Sequence, residues 1–224
     1  MKNIFAVLFF VILSGCANVQ TWKYTAEPKS YNVPKIEKTV VVPPFRDIRP
    51  NYNSNKYMAL AWIPLVPYSQ VIEANTPEGL PFSLTNVNSA AETLAKTTAE
   101  ELNNAAIFKN VYFAFNVEEA QFILEGTLKD FKLERYWTYY GLSLPGDLLW
   151  ILGFPAGKAY NTITVQYRLV DKNGNELFNK EYSQQESWLQ GLYYGLDNYR
   201  LEKIMKKINM ELVKDLSVLE KVLK

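Results

Sequence analysis

The chain has 224 residues, of which 24 are basic and 23 acidic, and its formal net charge of +1 gives no electrostatic basis for binding nucleic acid. It has one cysteine and no histidine, which excludes intramolecular disulfides, Ser-His and Cys-His catalysis, and metal sites with histidine ligands.

The first residues have the organisation of a secretory signal peptide. Lys2 gives a positive start, and Ile4 to Leu13 form an apolar run. About 20 apolar residues are needed to span the hydrocarbon core of a membrane, so this run is too short to be a transmembrane helix. We therefore expect residues 1–15 to be a signal peptide.

The only cysteine, Cys16, follows this run in the motif Leu13-Ser14-Gly15-Cys16. The motif closely resembles the lipobox of bacterial lipoproteins. The resemblance implies cleavage between Gly15 and Cys16, a diacylglyceryl group on the Cys16 thiol and acylation of the new amino terminus, and two or more acyl chains anchor a protein stably. The alternative is a buried cysteine in an ordinary hydrophobic segment. By the sorting rule of enterobacterial lipoproteins, Ala17 in place of aspartate implies the outer membrane, with the protein facing the periplasm.

Residues 16–38 are predicted to be the lipidated amino terminus and an extended tether. After the cysteine this stretch is polar, contains two prolines and shows no apolar periodicity. The alternative is an edge strand laid on the domain. The domain itself is predicted to run from residue 39 to residue 224 as a single periplasmic α+β unit.

A short β-branched run, Val40 to Val42, predicts the first strand of the domain, and two prolines end it. The corner that follows carries Arg46, Asp47 and Arg49. We interpret this corner as a local ion pair at the end of a strand. The functional alternative is a site for an anion or a partner.

Residues 51–86 are predicted to be irregular, and a helix follows them. Asn88 or Ser89 can cap this helix, and Glu92 in its first turn suits the helix dipole. Apolar residues then repeat at intervals of three and four as far as Ala105, which predicts one buried stripe.

Strands fill the next part of the chain. The stretch 108–115 predicts one strand, and 120–137 predicts a long strand in which apolar residues change parity after Leu128. A bulge near Lys129-Asp130 would keep both halves on the same face. Thr162 to Val170 alternates strictly, and Asn173-Gly174 predicts a hairpin turn to a partner strand.

The last predicted element is an amphipathic helix from Asn198 to Val222. Acidic and basic residues are mixed opposite its apolar stripe, which favours packing on the sheet over binding to a membrane surface. The predicted fold class is therefore α+β, a mainly antiparallel sheet with two main helices packed on one face, plus an apolar insert.

The order of these elements resembles a group of envelope lipoproteins that includes the curli-secretion lipoprotein CsgG, the LpoB-type activators of peptidoglycan synthases and the amino-terminal domain of TolB. The residues that carry the resemblance are the first strand "VVVPPF", the helix end with Ala105-Ala106-Ile107-Phe108, and the strand from Ala120 to Leu128. The resemblance covers roughly residues 39–130. It implies an accessory role in export or cell-wall assembly, although the apolar stretches 58–68 and 141–157 depart from it.

Residue patterns for catalysis are missing from the sequence. There is no Walker A loop, and neighbouring acids such as Glu100-Glu101 diverge on a helix instead of forming an acid–base pair. A hydrolase that uses only carboxylates is the enzymatic alternative, but no pattern indicates one. We therefore expect no enzymatic activity, no metal and no cofactor.

Two apolar segments, 58–68 and 142–157, are the unusual feature of the chain. Three interpretations stay open for them: a second small core in which the segments pack on each other, insertion into the membrane interface, or a groove for a partner protein or a lipid chain. The residues predicted to contact a partner or a membrane are Trp62, Leu65, Leu148, Leu149, Trp150, Ile151 and Phe154.

The sequence thus predicts a lipid-anchored, non-catalytic accessory or docking subunit, attached to a membrane through Cys16 and bound to an envelope protein partner. The alternative function is a carrier that shelters a lipid or another hydrophobic ligand between the two apolar segments. A closed cavity would favour the carrier, and a flat exposed patch would favour docking.

Overall fold

The computed structural model describes residues 24–29, 36–50, 52–56, 62–66, 69–75, 90–118, 120–195 and 200–219. The predicted lipobox, Ala17 and the predicted caps Asn88 and Ser89 lie outside these ranges.

Within the described residues, eight strands and three α-helices follow one another along the chain. The strands are β1 (Ile36–Val42), β2 (Arg46–Asp47), β3 (Tyr52–Lys56), β4 (Ser69–Asn75), β5 (Phe108–Phe113), β6 (Phe122–Thr138), β7 (Gly157–Asp171) and β8 (Glu176–Gln190). The helices are α1 (Ala90–Asn104), α2 (Asp147–Ile151) and α3 (Arg200–Val218).

The 17-residue strand β6 organises the sheet. One side of β6 pairs with β7 in antiparallel fashion over nearly its whole length, and β7 pairs in turn with β8. Its other side is shared by β1 and β2, which are parallel to it, and by antiparallel β4. The sheet is mainly antiparallel, and the predicted α+β fold class is confirmed.

Helices α1 and α3 pack on one face of the sheet and form the core with it. The alternating residues predicted to point inward from β7 are all fully buried: Ile163, Val165, Tyr167 and Leu169. The stripe of α3 is buried as well: Leu201, Ile204, Met205, Ile208, Leu212 and Leu216. Removal of this apolar surface from water is the main stabilising contribution to the fold. The buried stripe of α3 confirms that this helix packs on its own sheet.

A β-bulge interrupts β6 where the apolar parity changes. Leu128 pairs with Val165, but Asp130 pairs with Thr164, so Lys129 is the extra residue. Phe122 to Leu128 and Phe131 to Leu133 therefore bury their apolar residues on the same face of the sheet, as predicted.

The charged corner after β1 is a local ion pair. The Arg49 guanidinium donates to both carboxylate oxygens of Asp47, with an Nη2–Oδ2 distance of 2.7 Å. Arg49 is buried, and its guanidinium lies 5.4 Å from the centre of the Phe131 ring. The local ion pair predicted for this corner is therefore present in the structure.

The Asp47–Arg49 pair predicts a specific pH dependence of stability. Burial alone would raise the pKa of Asp47, but the hydrogen bonds from Arg49 outweigh it and hold that pKa below its ordinary value. A carboxylate with a lowered folded-state pKa stabilises the fold above the unfolded-state pKa of about 3.9, and this contribution is lost as the pH falls.

We expect Arg49→Met to remove this contribution, which is at most about 1 kcal/mol because the carboxylate is partly exposed. Urea unfolding at pH 7 and pH 3 should then show a smaller acid-induced loss of stability in the variant than in the wild type. Lys96→Met, which removes an exposed i,i+4 pair with Glu92, is the control. The same acid-induced loss in Arg49→Met and wild type would contradict the assignment.

The prediction that residues 51–86 are irregular is wrong for β3 and β4. These strands form an antiparallel ladder, and Ser69 to Ala74 of β4 pair with Leu133 to Thr138 of β6. The β3 sequence "YNSNK" has little intrinsic preference for a strand. The free edge of β6 supplies hydrogen-bonding partners that a local pattern cannot indicate.

The predicted tether also differs from the structure, since residues 24–29 lie against the helices and β1 begins at Ile36 instead of residue 39. The Tyr24 hydroxyl donates to Glu101 Oε2 at 2.8 Å and accepts from Asn209 Nδ2 at 3.2 Å. Glu27 forms an ion pair with Lys206 at 2.7 Å. These partners are distant in sequence, so only the folded helices create the site on which this segment lies.

Candidate docking surface

The strand register brings three loops to the same end of the sheet. Thr138, the last residue of β6, pairs with Ser69, so the β3–β4 connection leaves the sheet there. Gly157 of β7 pairs with both Trp137 and Gln190, which places the β6–β7 connection and the turn after β8 at the same end. We call residues 62–66, 139–156 and 189–195 the apolar end.

Most of the predicted contact residues are exposed at the apolar end. The exposed fraction of the residue is 75% for Trp62, 69% for Leu65, 63% for Leu148, 57% for Ile151 and 50% for Phe154. Leu149 and Trp150 are half-buried. The helix α2, from which four of these residues project, has no buried residue.

The described residues therefore do not form the second core in which the two apolar segments would cover each other. Trp62, Ile63 and Leu65 of the first segment are all exposed, and so are Leu148 and Leu152 of the second. A helix of five residues projects side chains in all directions and is too short to bury a continuous stripe. The apolar side chains are thus left facing water.

An aromatic cluster attaches α2 to the sheet. The ring of Trp150 lies 5.5 Å from that of Trp137 and 5.0 Å from that of Tyr139, measured between ring centres. Its indole Nε1 donates to the carbonyl oxygen of Thr138 at 3.0 Å. Trp150 therefore holds the loop in place, and its side chain contributes less exposed apolar area than Leu148 and Ile151 do.

The conformation of the β6–β7 loop is fixed by a close backbone contact and by hydrogen bonds from two tyrosine hydroxyls. A side chain at Gly146 would bring its Cβ to 2.1 Å from the carbonyl oxygen of Tyr139, so only glycine fits there. Tyr140 donates its hydroxyl to the Pro155 carbonyl at 2.5 Å, and Tyr193 donates to the Ile151 carbonyl at 3.0 Å. The exposed apolar residues thus stand on a defined backbone.

The sequence prediction missed part of this surface. Leu189, Leu192, Tyr193 and Tyr194 are exposed beside α2, outside both predicted apolar segments. The available signal was the run Leu192-Tyr193-Tyr194 between two glycines at the end of a strand, since a turn with three large apolar residues is unusual.

The apolar end carries almost no charge. Asp147 is the only acidic or basic residue in the three ranges, and burial raises the pKa of its carboxyl. Its Oδ1 has no hydrogen-bond partner among the described residues. Two cations border the surface: Lys158 lies over the ring of Tyr160 and Arg200 over that of Trp188.

An apolar hollow of about 300 Å³ opens beside this surface, between Tyr136, Pro155 and Leu189. Ligand carriers bury most of the ligand in an enclosed cavity, whereas this hollow is shallow and open to solvent. The geometry is therefore closer to a docking surface than to a carrier site.

In the part of the chain that the structure describes, no helix is both long and apolar enough to cross a membrane. The same residues contain no group of three or more acidic or cysteine side chains arranged to hold a metal ion.

Comparison with known proteins gives matches to solved structures at low sequence identity. No family model matches this chain, and no curated protein does. A candidate lipoprotein from Caulobacter crescentus CB15 is 14% identical, with a TM-score of 0.34, over 57% of this chain and 83% of that one. A minor lipoprotein from Acinetobacter baumannii is 13% identical, with a TM-score of 0.37, over 58% of this chain and 85% of that one. Likeness at this level carries no conclusion about this chain.

Proposed function

We propose that this protein is a lipid-anchored, non-catalytic lipoprotein of the bacterial envelope. Acyl chains on Cys16 hold it in the outer membrane on the periplasmic side, and its domain acts as an accessory subunit that docks through the apolar end. The observation that carries the docking role is the set of large apolar side chains exposed together at one end of the sheet.

Exposed apolar surface of this extent supports a binding role on energetic grounds. Full burial of one large apolar side chain contributes about 1.5–3 kcal/mol, so several such side chains on a fixed backbone strongly favour a partner that covers them. Contiguous apolar patches on protein surfaces commonly mark sites for proteins or membranes. The open hollow between Tyr136 and Leu189 supports docking over the alternative function as a carrier.

The anchor is tested by acylation. Cells that express the wild type and Cys16→Ser are grown with a clickable palmitate analogue, and label and membrane association are measured on the purified protein. We expect label and tight membrane association only in the wild type, because the thiol of Cys16 is the nucleophile that accepts the lipid.

The double variant Cys16→Ser, Ser14→Cys is the matched control, since it keeps a thiol two residues away but breaks the motif. It should stay unlabelled. A wild-type protein that keeps Met1, carries no lipid and is released without detergent would overturn the proposed anchor.

A further inference from the structure

The docked segment 24–29 fixes how far the domain can be from its anchor. Besides the hydrogen bonds of Tyr24, the amide nitrogen of Thr25 donates to Glu202 at 3.1 Å, and the carbonyl of Glu27 accepts from Asn104 at 2.8 Å. With this segment in place, seven residues lie between Cys16 and Tyr24, which makes eight backbone steps from one Cα atom to the other. At about 3.3–3.6 Å per residue they span at most about 29 Å.

The start of α3, which lies beside the apolar end, is within that distance of Tyr24. Tyr24 contacts Asn209 of α3, and Asn209 is nine residues beyond Arg200 at the start of the helix. At about 1.5 Å per residue this is about 14 Å along the helix axis. Arg200 in turn lies over Trp188, whose indole donates to the Gly195 carbonyl in the apolar end. The chain from Tyr24 to Cys16 is therefore long enough to extend past the start of α3 towards this surface.

The chemistry of the apolar end fits the boundary between lipid headgroups and acyl chains. Tyrosine and tryptophan concentrate at this depth because their rings are apolar and their polar atoms stay hydrated. Tyr140, Tyr193 and Trp62 are exposed at the same end of the sheet as the aliphatic residues Leu148 and Leu152.

The distribution of charge also fits a lipid bilayer. The surface itself carries a single carboxylate, while Lys158 and Arg200 stand at its base. Cations with long side chains at the base of an apolar surface can reach anionic headgroups while that surface is buried.

We infer that the apolar end inserts into the interface of the same bilayer that holds the acyl chains of Cys16. The domain is then attached to the membrane at two points, the acyl chains on Cys16 and the apolar end. The end of the sheet that carries the three apolar loops faces the lipid. This inference rests on the proposed function for its anchor and adds the identity of what covers the apolar end.

A fluorescent label at Leu152 tests the insertion. Cys16 is the only cysteine and its thiol is consumed by acylation, so Leu152→Cys in the mature lipoprotein provides a single free thiol for an environment-sensitive dye. The control is Asn173→Cys, in the exposed β7–β8 turn at the opposite end of the sheet. Both proteins are reconstituted into vesicles of phosphatidylethanolamine and phosphatidylglycerol.

We expect the dye at position 152 to shift its emission to the blue and to be quenched by nitroxides on the lipid acyl chains. The dye at position 173 should be quenched only by iodide in the water. Adding Leu148→Asp to Leu152→Cys should lower the quenching by lipid nitroxides, because a carboxylate resists transfer into the bilayer. Val218→Asp, at another exposed apolar residue, should leave it unchanged.

The other outcomes separate the inference from the proposed function. A protein that does not float with the vesicles lacks its anchor, and the proposed function fails. A protein that floats but keeps the dye at position 152 accessible to iodide is anchored without insertion, and the inference is overturned. The inference is also overturned if the dye at position 152 is shielded from iodide in native envelope membranes but not in the protein-free vesicles. That result would assign the surface to a protein partner.

Discussion

Replacing Ile208 by alanine is expected to lower the free energy of unfolding by about 3–4 kcal/mol. Ile208 is fully buried at the centre of the α3 stripe, where the helix packs on the sheet. Removing its outer carbons loses their transfer from water and leaves a cavity that the surrounding strands cannot fill. Most domains have a total stability of about 5–15 kcal/mol, so urea unfolding followed by circular dichroism should show a large shift of the midpoint.

Met210→Ala provides the matched control on the same helix. Its side chain is 56% exposed, so the change should stay within about 0.5 kcal/mol. Equal effects of the two substitutions would mean that α3 does not bury the face that the structure shows.

Replacing Trp150 by alanine is expected to loosen residues 139–156 without unfolding the domain. Each ring contact of Trp150 contributes about 0.5–1.5 kcal/mol, and its hydrogen bond to Thr138 about 1 kcal/mol. A loss of about 2 kcal/mol in local stability corresponds to roughly 30-fold faster amide exchange, since 1.4 kcal/mol is a factor of ten. Hydrogen–deuterium exchange should show this change in 139–156 but not in the paired centres of β6 and β7, because the Trp150 cluster is separate from the main core.

Leu152→Ala is the control for this prediction, because Leu152 lies in the same loop but is 73% exposed. Its exchange should match that of the wild type. Wild-type exchange of 139–156 in Trp150→Ala would show that the tyrosine hydroxyls and the close approach at Gly146 hold the loop without the tryptophan.

The elements that could be predicted from the sequence are those whose signal is periodic and local. The stripes of α1 and α3, the alternation in β7 and the turn at Asn173-Gly174 all follow from spacing along the chain, because each face of these elements meets one environment. The bulge at Lys129 was predictable for the same reason, since two apolar runs of opposite parity must share one face.

Contacts between distant parts of the chain could not be predicted in this way. The strands β3 and β4 depend on the edge of β6, and the docking of Tyr24 depends on α1 and α3 lying side by side. The turn at Leu192 to Tyr194 became part of the apolar end only because β8 ends level with β6 and β7.

The sequence by itself determined the fold class, the two core helices and the presence of an excess of apolar residues near position 150. It left open whether those residues are buried. Hydrophobicity gives the free energy that a side chain gains on leaving water, but it does not show whether another part of the protein covers that side chain. Only the tertiary structure decided this point. The register of β6, β7 and β8 carries three apolar loops to one end of the sheet, where the helices that cover the core do not extend over α2.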